Sequence, residues 1–256
     1  MTVSIRDYQI TYDITFFTDQ IHTLVTNTPS LVDQWITETQ QLLHQNPTIV
    51  GLDVEWRPND RYTKNRIATL QLCIDHRCLI FQLIHSPFIP QSLVEFLLSK
   101  NFVFVGVEIG NDVEKLVEDY GLSVRNTVDL RNLAAEKLGI RKNAGLKNLA
   151  KEVLGKEINK PEIVTRSEWD NQWLTSDQVQ YACLDAFVSS EIGRRLNSSS
   201  SSSSSASASA SSSASASASS SASALLRLLL RRLRLLLRLL LLLLLLLLLL
   251  LLLLED

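Results

Sequence analysis

The stretch Ile49–Pro58, IVGLDVEWRP, constrains the fold of this chain more than any other. Ile49, Val50, Leu52, Val54 and Trp56 are branched or aromatic apolar residues, the composition of a buried strand. Asp53 and Glu55 interrupt it, and because they are two apart they project from one face of that strand. Like charges held together and away from water are unfavourable twice over, by repulsion and by desolvation. A fold that keeps this strand inside has to give the two acids a reason to be there.

The rest of the chain divides by composition. Residues 198–224 contain only Ser and Ala, and residues 225–254 only Leu and Arg. Residues 1–197 therefore read as the one domain able to build a core, 198–224 as a low-complexity linker and 225–256 as a low-complexity tail. Of the 25 basic and 27 acidic residues, five Arg and two acids fall in the tail, which leaves residues 1–197 at 20 basic against 25 acidic. That balance argues against a protein that coats nucleic acid non-specifically, so any such contact has to come from a local patch or from bound metal. Cys73, Cys78 and Cys183 form no CxxC pair and suggest reduced, buried thiols rather than a disulfide or zinc framework. The opening MTVSIRDYQITYD has no basic segment followed by an apolar run, so no secretory signal is expected and a reducing compartment, nucleus or cytosol, is.

Residues 8–26 alternate as one or two strands, and SLVDQWITETQQLLHQ carries a helical apolar stripe that Asn46-Pro47 stops. After the Asp53 strand, RIATLQLCI and RCLIFQL read as strands and PQSLVEFLLSK as a helix. FVFVGVEI is a strand, DVEKLVEDYG a helix and TVDL a short strand. RNLAAEKLG and LKNLAKEVLG are helices ended by Gly, and SDQVQYACLDAFVSSEIGRRL is a long last helix with Thr175 or Ser176 as its N-cap. Strands in a run followed by strands alternating with helices indicate an α/β fold, a mixed sheet with helices on its faces.

Two further acids stand where apolar residues are expected. Tyr181 and Asp185 are four apart on one helix face, which Leu184, Val188 and Ile192 continue as a sheet-facing stripe. Asp112 follows the strand FVFVGV at a helix start, where an acid is also favourable for structural reasons. Three of these acids fall in or beside apolar segments with no obvious basic partner in the local sequence. If Asp53, Glu55, Asp112 and Asp185 converge, hard divalent cations are the economical solution, Mg²⁺ or Mn²⁺. Two such ions about 3.5–4 Å apart are the usual apparatus for attack on a phosphodiester.

Read in order, GLDVEW, VGVEIGNDVEKL and YACLDA resemble the three exonuclease motifs of the DEDD superfamily, and the Tyr four residues before the last acid resembles its DEDDy branch. The similarity extends through ATLQLC, NTVDL, GLKNLAKEVLGKE and WDNQWLT and is greatest to the plant Werner syndrome-like 3′–5′ exonuclease group. The resemblance implies an RNase H-like mixed five-stranded sheet flanked by helices, here with an N-terminal β extension and the low-complexity C-terminal tail. It implies two metal ions, Asp53, Glu55 and Asp185 holding the nucleophile-side ion, with Asp53 and Asp112 serving the second. It also implies that Tyr181 orients the attacking water, completing a catalytic set of Asp53, Glu55, Asp112, Tyr181 and Asp185. The reaction would release nucleoside monophosphates from a 3′ end, of DNA in preference to RNA, in the nucleus or also the cytoplasm, with a separate helicase as a possible partner. Glu108 departs from the pattern, since related sequences usually have Gly there; it either crowds the scissile phosphate or points to solvent.

For substrate contact, Arg57, Arg61, Lys64 and Arg66 cluster just after the acidic strand. Residues 137–166, including Lys142 and Lys147, hold eight basic residues against three acids. Trp56 lies opposite the acids and suits core packing, while Trp169 and Trp173 suit core or edge packing. Leu239–Leu254 is a run of 16 Leu, short of the ~20 apolar residues of a membrane span, and reads as a translated simple repeat or an anchor. Two other functions stay open: a catalytically inactive exonuclease-fold module that binds nucleic acid or protein, and a membrane-tethered form of either. A helicase is not expected, because the chain has no GxxxxGK[ST] loop.

Overall fold

The structure, a computed structural model, describes residues 9–42 and 48–198. The end of the first expected helix with its Asn46-Pro47 stop, the Ser/Ala linker and the Leu/Arg tail lie outside the described residues. No helix among those described is long and apolar enough to cross a membrane.

Seven strands form one mixed sheet. β1 (Gln9–Phe16) and β2 (Asp19–Thr26) make an antiparallel hairpin closed by Phe17, whose φ of 56° gives the turn its left-handed step. β3 (Thr48–Glu55), β4 (Thr69–Ile74) and β5 (Arg77–Phe81) form an antiparallel meander, and β6 (Phe102–Gly106) and β7 (Thr127–Asp129) add parallel to β3. The spatial order is β1-β2-β5-β4-β3-β6-β7. The five strands β3–β7 are those expected of the family resembled. The N-terminal extension continues the same sheet by pairing β2 parallel to β5.

Helices cover both faces. α1 (Pro29–Leu42), α2 (Gln91–Leu98) and α3 (Ile109–Tyr120) bury Val32, Trp35, Leu93, Phe96 and Leu116 against Val50, Leu52 and Val54 of β3. Trp56 packs on this side too, as its place opposite the acids requires. On the other face lies α7 (Ser176–Ser198), covered in turn by α4 (Leu130–Leu138) and the short α5 (Leu146–Leu149) and α6 (Glu162–Thr165). Every residue from Tyr181 to Ser190 is buried, so α7 is an interior helix rather than one with a single sheet-facing stripe. Thr175 caps it reciprocally: its Oγ1 accepts from Gln178 N at 3.2 Å and its N donates to Gln178 Oε1 at 2.9 Å.

LKNLAKEVLG is less regular than its pattern suggests. After α5 the chain widens into a π-turn over Ala150–Leu154, ended by Gly155 at φ 67°. The extra residue leaves Leu146, Leu149 and Ala150 all buried on the α7 side.

Candidate active site

The site begins with a close approach. Gly51 of β3 faces α7, and a Cβ there would lie 1.8 Å from the Ala186 carbonyl oxygen. The helix therefore rests on bare backbone, and Asp185, the neighbour of Ala186, is delivered to the strand end that carries Asp53 and Glu55. Two turns on, a Cβ on Gly193 would meet Ile49 Cγ2 and Val105 Cγ2 at 3.0 Å, so the helix stays close to the sheet there, against side chains rather than backbone. One carboxylate oxygen each from Asp53, Glu55 and Asp185 lie within 4.8 Å of one another. Cross-strand from Asp53, Gln71 is fully buried; its Nε2 donates to Thr69 Oγ1 at 2.6 Å and its Oε1 has no partner among the described residues.

These acids are held against their own charge. Burial raises Asp53 well above the usual carboxylate range, and the charges of Asp185 and Asp112 push it further. Glu55 is raised well too, by burial and then by Asp53 and Asp185. Burial also raises Asp185, against the opposing pull of Lys160 and a hydrogen bond from Tyr181. Lys160 Nζ stands 2.5 Å from Asp185 Oδ2, so the basic partner absent from the local sequence comes from a distant loop.

Tyr181 is fixed from the same region. Thr165 Oγ1 donates to its Oη at 3.3 Å, the Trp169 ring packs 5.9 Å away, and Trp169 Nε1 donates to the Thr165 carbonyl at 3.2 Å. Burial, reinforced by the charge of Asp185, pushes the phenol up to about 12. It is a hydrogen-bond donor at neutral pH, not a base.

Asp112 opens α3 from the end of β6, and because β6 runs parallel to β3 it reaches the same edge of the sheet. It is buried, does not join the group of three within 4.8 Å, and its charge is felt at Asp53 and Glu55. Burial, then the charges of Glu108 and Asp129, raise it to about 7, which a merely helix-favoured acid would not show. Glu108 occupies the residue before α3 at φ 61°, a left-handed conformation that suits Gly. Its carboxylate is drawn to Arg131 Nη1 at 2.5 Å, and Arg131 also holds Asp129 at 2.8 Å. Glu108 is thus more than half exposed and tied to a neighbour, while its field still reaches Asp112.

The basic residues separate into two kinds. Arg57 pairs with Asp170 at 2.7 Å and Glu168 at 2.9 Å, Lys64 pairs with Glu118 at 2.6 Å, and Arg66 stacks 4.2 Å from the Tyr120 ring centroid. With Lys115 donating to Asn65 O and Tyr120 to Ile67 O, they stitch the loop after β3 onto α3 and the 168–170 turn. Arg61 near the tip of that loop, and Lys142 and Lys147 around the start of α5, are exposed and make no ion pair among the described residues. Trp169 is core; Trp173 lies at the surface. Sequence reasoning missed Lys160, Thr165 and Trp169 as neighbours of the site, and the signal available was the sequence KPEIVTRSEW itself, a lone Lys-Pro ahead of a short helix.

A profile of 3′–5′ exonucleases matches residues 25–199, which takes in every element from the end of β2 to the end of α7. The chain belongs to this 3′–5′ exonuclease family. It is 39% identical over 143 residues to an Arabidopsis thaliana 3′–5′ exonuclease, covering 55% of this chain and 49% of that protein. It is 35% identical over 152 residues to the mouse bifunctional 3′–5′ exonuclease/ATP-dependent helicase WRN, covering 59% of this chain and 11% of that protein. The chain thus spans half or less of the length of these two relatives. NrnC of Brucella melitensis shares the fold, with a TM-score of 0.52 at 18% identity over 59% of this chain and 72% of that one. Within the family fold, Asp53, Glu55, Asp112, Tyr181 and Asp185 are the residues that the structure gathers at one edge of the sheet.

Proposed function

We propose that this chain is a metal-dependent 3′–5′ exonuclease that hydrolyses the 3′-terminal phosphodiester of nucleic acid, DNA in preference to RNA, and releases a nucleoside monophosphate. The observation that carries the reading is the convergence of Asp53, Glu55 and Asp185 within 4.8 Å beside a protonated Tyr181. The donor set fits hard divalent cations: the oxygens are all carboxylate, and burial and mutual repulsion raise them even with Lys160 present. Asp53, Glu55 and Asp185 would hold one Mg²⁺ or Mn²⁺, and Asp53 with Asp112 would serve a second. Bound there, the ions supply a water-derived nucleophile at neutral pH and charge for the phosphoryl oxygens.

The chain's own residues do the rest. Tyr181, held by the donation from Thr165, orients the attacking water through its hydroxyl, whose single proton is accepted by Asp185 or by the water, one at a time. Arg61, Lys142 and Lys147 meet the phosphate backbone, while Arg57, Lys64 and Arg66 brace the loop that presents Arg61. Similarity to the Arabidopsis exonuclease and to WRN supports placement near the plant Werner-like group; a nuclear setting and a separate helicase partner are part of the same proposal.

The full chain, given a 3′-recessed duplex labelled at its 5′ end, tests this in Mg²⁺, Mn²⁺ or EDTA with Asp53→Ala alongside. A descending ladder that requires both metal and Asp53 is the expected result. Intact substrate in every metal condition, with folding confirmed by circular dichroism, would replace the enzyme with an inactive binding module. Imaging of a fluorescent fusion checks the compartment.

A further inference from the structure

Among the described residues, Lys160 is the cation that pairs with a carboxylate of the site. Its ammonium touches Asp185 Oδ2 at 2.5 Å and lies 5.0 Å from the Tyr181 ring centroid, and its charge opposes the upward shift at Asp53, Glu55, Asp112 and Asp185. Burial works against that charge, yet the carboxylates outweigh it and hold Lys160 above the ordinary lysine range. Its position is built rather than incidental. On one side, Lys156 pairs with Asp19 at 2.5 Å and Ile158 is buried. On the other, Pro161 O accepts from Val164 N and Thr165 N at 3.0 and 3.2 Å, placing Thr165 on Tyr181. The lysine stem therefore crosses from an anchored loop into the carboxylate cluster.

We infer that Lys160 is a resident counter-ion that holds the site together without metal and that competes with a divalent cation for Asp185. One ammonium faces four carboxylates, three of them with oxygens within 4.8 Å of one another, so the cluster gathers more negative charge than Lys160 offsets. An ammonium has three donors and no acceptor. An ion held by Asp185 together with Asp53 and Glu55 would stand within a few ångström of an ammonium that touches Asp185 Oδ2, and two cations that close repel. Metal and lysine therefore compete for Asp185, and metal affinity carries the cost of moving the lysine. This rests on the metal-dependent reading of the site.

Mn²⁺ titration of the full chain by calorimetry near pH 8, with melting in EDTA, tests the inference on wild type, Lys160→Met, Lys160→Gln and Asp53→Asn. Removing the competitor is expected to tighten Mn²⁺ binding on the order of tenfold, a negative coupling of ordinary size, while the metal-free protein melts lower. Lys160→Gln keeps the stem and a neutral donor, and moves both readings in the same directions. A merely structural lysine would lower the melting point and leave Mn²⁺ binding unchanged or weaker, which overturns the counter-ion. Absence of binding by wild type and both Lys160 variants would overturn the metal site itself. Wild-type binding abolished by Asp53→Asn but untouched by Lys160→Met or Lys160→Gln overturns only this inference.

Discussion

Gly51→Ala is the smallest change that separates the strand end from the helix that completes the site. The added Cβ would lie 1.8 Å from the Ala186 carbonyl oxygen, 2.8 Å from its carbon and 3.0 Å from Ser190 N. All three are backbone atoms, so no side chain can rotate out of the way. Ordinary contact begins near 3.4 Å, and α7 has to retreat from β3 by roughly 1.5 Å. Overpacking of this kind costs about 1–3 kcal/mol where side chains can adjust. With backbone on the far side the expected loss is at the upper end, about 3 kcal/mol. The retreat also carries Asp185 out of a group only 4.8 Å across. Displacements near 1 Å at a reacting centre cost on the order of 100-fold in rate, so nuclease activity should fall at least that far even in molecules that stay folded. Urea unfolding reads the first effect, and Mn²⁺ affinity with single-turnover cleavage reads the second. Two neighbours calibrate the scale. A Cβ on Gly193 meets only side-chain methyl groups at 3.0–3.3 Å, so Gly193→Ala should cost less. A Cβ on Gly110 meets nothing within 4 Å, so Gly110→Ala in α3 should be neutral or stabilising by up to about 1 kcal/mol. Wild-type stability and rate in Gly51→Ala would refute the claim that direct helix-on-strand contact sets the site.

Asp112 titrates near 7 in the folded protein against 3.8 unfolded, so the folded state holds an extra proton in between. The stability this group contributes is complete below its unfolded pKa and is lost as pH rises through about 7. In EDTA, Asp112→Asn should therefore gain on wild type between about pH 5 and pH 8 by roughly 2–4 kcal/mol, and a pH-independent gap between urea midpoints would contradict this. Glu108→Gly relieves a residue at φ 61° but loses the Arg131 pair; stability should stay within about 1 kcal/mol while the Asp112 carboxyl moves down, which carbon-13 NMR titration reads directly. Tyr181→Phe should leave the fold within about 1.5 kcal/mol and slow cleavage about 100-fold. Because the phenol is pushed up to about 12, the wild-type pH–rate curve should show no tyrosine limb at neutral or mildly alkaline pH, and such a limb that disappears in Tyr181→Phe would make it a base after all.

The strands and long helices were legible because apolar periodicity and Gly stops mark them locally: β3 and α7 lie where their patterns place them, whereas the strand expected through Ile109 ends at Gly106 and α3 opens at Ile109, ahead of Asp112. Asp53 and Glu55 could be paired from sequence because two residues apart on a strand is geometry in itself. The hairpin β1–β2 was visible as strands, yet its partner was not, since pairing β2 with β5 depends on a contact between distant segments. Lys160 was hidden for the same reason. Its partner Asp185 is on α7, and nothing in the local sequence of either announces the other. The basic residues show the reverse difficulty. Arg57, Lys64 and Arg66 stand out as clustered charge, but such a run does not reveal what else each one touches: acids for Arg57 and Lys64, the Asp119 carbonyl and the Tyr120 ring for Arg66.

The gathered acids also tie chemistry to folding. Asp53, Asp112 and Asp185 come from distant parts of the chain, and only the parallel pairing of β3 with β6 and the close seat of α7 on Gly51 bring them to one sheet edge. Their repulsion is absent from the unfolded chain, where each acid is solvated, and present in the fold, where burial raises all four. The site therefore opposes the fold that creates it, and Lys160 offsets only part of that opposition. Anything that binds the gathered acids but not the separated ones stabilises the whole domain by mass action. A divalent cation should accordingly raise the global unfolding midpoint, and should do so more steeply as pH rises, because the protons it displaces from Asp112 and its neighbours become cheaper to remove. A midpoint insensitive to Mn²⁺ across that range would mean that the carboxylates remain protonated and the cluster is no metal site.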